Sequence, residues 1–409
     1  MPTPTRQAAL ALLTAVLQAR QSLEDALEAQ AGIAPRDRAA AHRIAAAVLR
    51  RMGSLDAVLE PFLKREPPPA VRLALRMGAA ELLLLGTPPH AVVSDTVAIV
   101  PRPFAGLVNA VLRRVSEGGA AALEGLDGAR LDTPAWLWSA WHAAHGPAVR
   151  AIAEAHRREA PLDLSLAPGA VVEGAQMLPN GTARLPAGTR ITELPGFAEG
   201  AFWAQDAAAA LPAQLLGARA GERVLDLCAA PGGKTAQLVA TGAQVVAVER
   251  DARRAERLRE NLGRLRMTAD VVIADATAWR PDALFDAVLL DAPCTATGTI
   301  RRHPDALHLR RAVDVPKLAA TQSRLLQAAV NFLAPGGRLV FATCSLQAEE
   351  GEAHFARLPD GLVPDRIAPA ELPGLPEAVT AMGALRTRPD MWGEQGGMDG
   401  FFALRARRA

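Results

Sequence analysis

Five short apolar runs in the second half of the chain restrict its fold more than any other feature: Arg223–Leu227, Gln244–Val248, Asp270–Ile273, Phe285–Leu290 and Arg338–Phe341. Several are separated by segments of helical periodicity, Gly233–Ala240, Asp251–Leu262 and Pro316–Leu333. Strands that are apolar almost throughout must be buried on both faces. When they alternate with helices, the arrangement that allows this is a parallel sheet with helices on each side. A last strand is expected at Phe401–Leu404. In such a sheet, ligands bind outside the carboxyl ends of the strands. The residues that follow each run are therefore where chemistry is to be sought.

Those residues are unusual at every strand end. The first run leads into Cys228-Ala229-Ala230-Pro231-Gly232-Gly233-Lys234-Thr235, the second ends at Glu249, and Asp275 follows the third. The fourth ends at Asp291-Ala292-Pro293-Cys294 and the fifth at Thr343-Cys344-Ser345. Small residues in the first loop let a ligand approach backbone at a helix N-terminus. A carboxylate about 20 residues later commonly holds the ribose hydroxyls of an adenosine cofactor, which suits Glu249. Asp275 can accept from an adenine amino group. The plainer reading of either acid is a helix cap or a solvated strand end.

A nucleotide-hydrolysing alternative has to be weighed. Residues 228–235 come close to the phosphate loop GxxxxGK[ST], and Ala287–Asp291 resembles a magnesium-holding strand. The first glycine of that loop is Cys228 here, however, and two strand-end cysteines have no role in such an enzyme. Lysine occurs only at Lys64, Lys234 and Lys317, every other basic residue being arginine, so a lysine within the glycine-rich loop stands out.

Cys294 and Cys344 at converging strand ends suggest covalent catalysis. C5 of cytosine is too weak a nucleophile to take a methyl group directly. A thiolate that adds at C6 makes C5 enamine-like, and thiolates are strong nucleophiles at modest pKa. A second group must then help the C5 proton and the enzyme to leave. Spacing alone does not choose between the cysteines, and small buried hydrophobes are the competing reading of both. The three cysteines, Cys228, Cys294 and Cys344, show no CxxC spacing, so neither a zinc site nor a disulfide framework is expected. A sparse, odd count suits a reducing cytoplasm. The N-terminus does not lead into a signal-peptide core, and the longest apolar stretch, Ala79–Leu85, is short and carries Glu81, so no membrane span is expected.

A chain of 409 residues exceeds one ordinary domain. Residues 1–150 read as all helix, with apolar residues at helical spacing in Ala8–Leu17, Ala41–Leu49 and Val71–Leu85 between Pro- and Gly-rich breaks. Residues 151–215 read as a small α+β linking subdomain with short strands at Leu162–Leu166 and Ala183–Leu185, and residues 216–409 as the α/β catalytic domain. The net charge of +2 gives no global attraction to nucleic acid, so any contact must be local. Arg301 and Arg302, in the loop after the fourth strand, are the expected phosphate contacts. His303, His308, Arg310, Arg311 and Lys317, with Arg250, Arg253, Arg254 and Arg257 elsewhere, read as solvated surface or loop packing.

Leu225–Thr235, Asp291–Cys294 with Arg301-Arg-His-Pro-Asp305, and Ala342-Thr-Cys-Ser345 resemble the motifs of the Sun/NOP RNA cytosine-C5 methyltransferases, and Gly397–Phe402 resembles their final strand. Upstream, Leu75–Leu82, Pro88–Val97 and Gly106–Arg113 are similar to a NusB-type RNA-binding bundle, a combination found in enzymes acting on 16S ribosomal RNA. The resemblance implies a Rossmann-like methyltransferase domain behind a NusB-like helical domain, with RNA as substrate, no metal, and a monomer. It implies that Cys228–Lys234, Glu249, Asp275 and Asp291 bind S-adenosylmethionine and that Asp291 also polarises the base. Cys344 would be the nucleophile and Cys294 would assist release. In DNA cytosine-C5 methyltransferases the Pro-Cys cysteine attacks; the second cysteine, after the fifth strand, points to the RNA type. Three positions depart from the pattern: Glu249 stands for the usual Asp, Thr295 for Ser and Gly351 for Asn. A tRNA methyltransferase, and an RNA-binding protein with a vestigial cofactor fold, are the alternative functions.

Overall fold

The computed structural model describes residues 4–409. They form two compact units, one of residues 4–158 with 300–312, the other of residues 159–299 with 313–409.

The first unit is helical: α1 (Pro4–Leu17), α2 (Leu23–Glu28), α3 (Pro35–Leu59), α4 (Pro69–Leu83), α5 (Pro89–Ile99), α6 (Ala105–Gly118), α7 (Gly128–Leu131), α8 (Ala135–His145) and α9 (Val149–His156). Prolines open α3, α4 and α5, where a missing N–H costs nothing. The core is built from the apolar stripes read in the sequence, among them Leu12, Leu13, Leu49 and Leu75, joined by Leu55 of α3 and Leu112 of α6. Glu81 interrupts the most apolar of those stripes and is buried, where the Arg6 guanidinium meets it with two hydrogen bonds of 2.8 Å. The expected domain limit at residue 150 falls inside α9, whose Ile152 and Ala153 are buried, so the helical unit runs on to Arg158.

The second unit opens with β1 (Leu162–Leu166), β2 (Gln176–Met177), β3 (Ala183–Leu185) and β4 (Phe202–Ala204), an antiparallel sheet of order β2-β3-β1-β4. Segment 151–215, expected as a separate subdomain, is divided: its start ends the helical unit and its strands are compact with the large sheet. Next come α10 (Ala207–Leu216), β5 (Arg223–Leu227), α11 (Gly233–Ala240), β6 (Gln244–Glu249), α12 (Ala252–Arg264), β7 (Asp270–Ile273) and β8 (Phe285–Asp291). After the helical turn α13 (Ala306–Leu309), which belongs to the first unit, follow α14 (Asp314–Phe332), β9 (Leu333–Thr343), the turn α15 (Glu352–Phe355), β10 (Leu362–Pro364), β11 (Leu385–Arg386) and β12 (Phe402–Arg408).

The large sheet has the order β10-β12-β9-β8-β5-β6-β7, with β11 beside β12. The five expected strands pair in parallel, while β12 runs antiparallel between β9 and β10, so the sheet is mixed rather than wholly parallel. Alternate residues go to opposite faces. Val224, Leu289 and Val340 pack with Leu211 and Leu215 of α10 and Leu238 of α11, whereas Leu225, Val288 and Phe341 pack with Leu325, Leu326 and Ala329 of α14. The chain leaves β5 toward β6 on one side and reaches β8 on the other, so the order reverses at β5. That reversal opens a crevice at the carboxyl ends of β5, β6 and β8.

A buried ion pair within the small sheet also fastens it to the start of α10 and to the loop before β12. Arg184 on β3 donates two hydrogen bonds of 2.7 Å to Asp163 on β1 and a third, of 2.9 Å, to the Gln395 carbonyl. Asp163 also accepts from the Ala207 N–H at the start of α10. Asp163→Ala would leave the Arg184 charge buried without its main counter-ion, and the expected loss of stability is about 3–5 kcal/mol, measurable as a lower urea midpoint. An unchanged midpoint would mean that the pair is not structural.

Candidate active site

The loop after β5 is held in a shape that only its own residues allow. Gly232 has φ +104, and a Cβ there would lie 2.4 Å from Leu258 Cδ1 of α12. Cys228 itself has φ +61. From α12, Arg254 donates to the Ala230 carbonyl at 2.8 Å and Asn261 to the Pro231 carbonyl at 2.9 Å. With those carbonyls occupied, the loop leads its free N–H groups into the start of α11, a ready site for an anionic group.

Around this loop stand three carboxylates. Glu249, at the end of β6, is buried; its Oε1 accepts from the Asp251 N–H at 3.0 Å, while its Oε2 has no hydrogen bond and lies 3.5 Å from Arg254 Nη1. Asp226 on β5 accepts from Thr235 Oγ1 at 2.6 Å, and its Oδ1 is buried without a partner. Asp291, at the end of β8, receives the Lys234 ammonium at 2.7 Å. Burial pulls the Lys234 pKa down, but Asp291 more than reverses this and the amine stays charged. Its Nζ also lies 5.3 Å from the Phe401 ring centre. A lysine committed to Asp291 is not free for nucleotide phosphates, which weighs against the phosphate-loop reading. Two orphaned carboxylate oxygens beside a helix N-terminus fit a ligand that carries hydroxyl or ammonium donors and a carboxylate, as the expected cofactor does.

Asp275 stands two residues beyond β7. Its Oδ1 accepts from the N–H and hydroxyl of Thr277, bonds that hold its carboxyl below the ordinary range, and its exposed Oδ2 remains open to a ligand donor. The Cys228 thiol, half-buried, is pushed up to about 12 by lost solvation and then by the charges of Glu249, Asp291 and Asp226, which makes it a poor nucleophile.

The other two cysteines meet. The sulfurs of Cys294 and Cys344 are 3.4 Å apart, and both residues are half-buried. The hydrogen bond to Cys344, and then burial, push the Cys294 thiol well above its ordinary range, so it stays protonated. The backbone beneath them is tightly woven. Gly298 donates its N–H to the Cys344 carbonyl at 3.0 Å and accepts from the Gly400 N–H at 2.9 Å. A Cβ on Gly298 would lie 1.9 Å from the Gly400 carbonyl oxygen, which explains the glycines of both motifs.

One expectation is corrected. Arg301 was expected to contact RNA phosphate, but it is 2% exposed within the helical unit, where its carbonyl accepts from Arg50 at 2.9 Å. Residues 300–312 belong to that unit, so the basic loop is folded in rather than presented as a solvent loop. Its neighbour Arg302 is half-buried and His303 exposed. Sequence reasoning missed Asp226 as an edge carboxylate, because it sits inside an apolar run. It also missed Glu350, which accepts hydrogen bonds from Thr295 and Ser345, the residues that follow the two cysteines.

Residues 213–405 match the family described as 16S rRNA methyltransferase RsmB/F, and residues 3–117 match the NusB family. The chain is 38% identical to the ribosomal RNA small subunit methyltransferase B of Vibrio cholerae, across 87% of this chain and 90% of that one. It is 37% identical to the protein of the same name from Pseudomonas putida, across 97% of both. The crystal structure of a methyltransferase homologue from Pyrococcus horikoshii superposes with a TM-score of 0.54 at 26% identity, covering 66% of this chain and 94% of that one.

Burial raises the Asp226 pKa to about 7, against about 3.9 in an unfolded chain. Below pH 4 both states hold the proton and nothing is lost. Between pH 4 and 7 the unfolded state releases its proton while the native state keeps it, so native stability falls as pH rises, by up to about 4 kcal/mol. Asp226→Asn keeps an acceptor for Thr235 and removes this dependence. In urea titrations of the unliganded protein, the advantage of Asp226→Asn over the natural chain should grow from pH 4 to pH 7. An advantage independent of pH would contradict the assignment.

Proposed function

We propose, for a chain that belongs to the 16S rRNA methyltransferase RsmB/F family, that it methylates C5 of a cytosine in 16S ribosomal RNA through a covalent bond between Cys344 and C6 of the base. It is an S-adenosylmethionine-dependent RNA methyltransferase. Bound, S-adenosylmethionine supplies an electrophilic methyl group. Asp226, Glu249 and the N-terminus of α11 would hold it, with Asp275 available to the adenine. The helical unit would supply RNA affinity, and the reaction would take place in the cytoplasm with the protein as a monomer.

One observation carries the reading: two thiols in contact at 3.4 Å on the edge that also bears the cofactor loop. The target cytosine must be single-stranded or turned out of its helix to enter. The Cys344 sulfur adds to C6, and the electron pair of the C5–C6 double bond becomes available at C5. Asp291, paired with the Lys234 ammonium at 2.7 Å, is positioned at the same strand end to hold the polar edge of the base. After C5 is substituted, its proton passes to a base, the C5–H electron pair re-forms the double bond, and the bond from C6 to sulfur breaks with its pair returning to Cys344 as thiolate. Cys294 touches Cys344 and is in position to be that base: while Cys344 is bonded to C6 it carries no charge to oppose ionisation of Cys294, whose thiolate can then take the C5 proton. A non-catalytic RNA-binding protein would have no use for the paired thiols.

The two cysteines are told apart by opposite outcomes. With 16S RNA and S-adenosylmethionine, Cys344→Ala should lose essentially all turnover and form no complex on a denaturing gel. Cys294→Ala should attack and methylate but release slowly, accumulating an RNA–protein complex that survives denaturation. The double substitution should show none. A complex in Cys344→Ala and not in Cys294→Ala would reverse the roles, and undiminished methylation in both would end the covalent reading.

A further inference from the structure

Glu350 is fully buried, and burial raises its pKa, so a carboxylate stays there only because donors surround it. Its Oε1 accepts from the Thr295 N–H at 3.0 Å and from Gln322 Nε2 at 3.2 Å. Its Oε2 accepts from Ser345 Oγ at 2.5 Å and from Thr295 Oγ1. Its main-chain carbonyl accepts from Thr343 Oγ1 at 2.9 Å. Gln322 also donates to the Pro293 carbonyl at 2.9 Å, and its own side-chain oxygen meets His354 Nε2 at 2.9 Å.

These partners bracket the two cysteines. Pro293 and Thr295 flank Cys294; the first is held by Gln322 and the second by Glu350. Thr343 and Ser345 flank Cys344, and Glu350 holds both. No strand pairing reaches the Cys294 loop, because the β8–β9 ladder ends at Asp291 and Ala342. Main-chain bonds tie Ala292 to Ala342 and Gly298 to Cys344, and between those two points the stretch that carries Cys294 is held to the Cys344 segment by side chains. We propose that Glu350 is the positioning residue that fixes the separation of the Cys294 and Cys344 thiols, by gripping the residues next to both from a single carboxylate. The proposal rests on the reading that both thiols serve the reaction. Attack at C6 and release at C5 occur on adjacent atoms of one ring, and both sulfurs must reach that ring from fixed places.

The test separates spacing from chemistry in the full-length protein. Diamide takes two hydrogens from a pair of neighbouring thiols and leaves a disulfide, and peptide mapping identifies Cys294–Cys344 closure without interference from Cys228. For Glu350→Ala, methylation kcat should fall about a hundredfold and disulfide closure should slow about tenfold, since a displacement near one ångström has effects of this size. Affinity for S-adenosylmethionine, measured by calorimetry, should not change. Glu350→Gln retains one acceptor oxygen and should restore part of both rates. If Glu350→Ala does not fold, Glu350→Asp, which withdraws the carboxylate by one methylene, gives the same two readouts. Closure at the natural rate, with or without a fall in kcat, would overturn the proposal. Slowed closure with undiminished methylation would uphold Glu350 as the spacer and overturn instead the role of the paired thiols in the reaction.

Discussion

The parallel register of β8 and β9 is the constraint on which the rest of the site depends. Leu290 lies opposite Phe341 and Asp291 opposite Ala342, and the Ala292 N–H reaches the Ala342 carbonyl at 2.9 Å. With that register fixed, Asp291-Ala-Pro-Cys294 and Thr343-Cys344-Ser345 leave the sheet side by side. A slip of one residue would turn every side chain of a strand to the other face. Both faces of β8 and β9 are buried, against α14 on one side and α10 on the other, so a slip would force side chains into space shaped for others, at about 1–3 kcal/mol for each misfit. The register of the sheet thus brings the two thiols to the same edge.

Charge completes what packing begins. Asp226, Glu249 and Asp291 converge on a crevice in which Lys234 pairs with Asp291 and Arg254 lies 3.5 Å from Glu249. The negative charge of Glu249 and Asp291 is felt by its neighbours: it adds to the burial that raises Cys228 and Asp226. Such a crevice favours a ligand bearing positive charge, and S-adenosylmethionine carries both a sulfonium and an ammonium. The same surroundings act unequally on the thiols: Cys228 faces the carboxylates, which add to the burial that raises it, while Cys294 and Cys344 face each other at 3.4 Å.

Elements with a strong period were legible in the sequence. All five parallel strands, α11 to the residue, and two of the four strands of the small sheet, β1 and β3, stand where the sequence pattern placed them; β2 and β4, too short to show a period, were not read. What escaped was non-local. The antiparallel seat of β12 between β9 and β10 depends on a long return of the chain, and period-two patterning gives no strand direction. Residues 300–312 look like a basic loop in sequence, yet they fold with helices more than 200 positions upstream, as the bond from Arg50 to the Arg301 carbonyl shows. The strand ends that carry Glu249, Asp291 and Cys344 were readable from the apolar runs that precede them. Glu350 was not, because its meaning lies in Thr295 and Gln322, 55 and 28 positions away.

The central claim is that a sulfur of this chain bonds to the base during methyl transfer, and that the sulfur is Cys344. RNA bearing 5-fluorocytosine tests it most directly, because fluorine at C5 cannot leave as a proton does and the adduct should persist after methylation. Digestion of the trapped protein and mass spectrometry should find the nucleotide on the peptide that contains Cys344. A nucleotide on the Cys294 peptide, or methylated RNA with no protein attached, would contradict it.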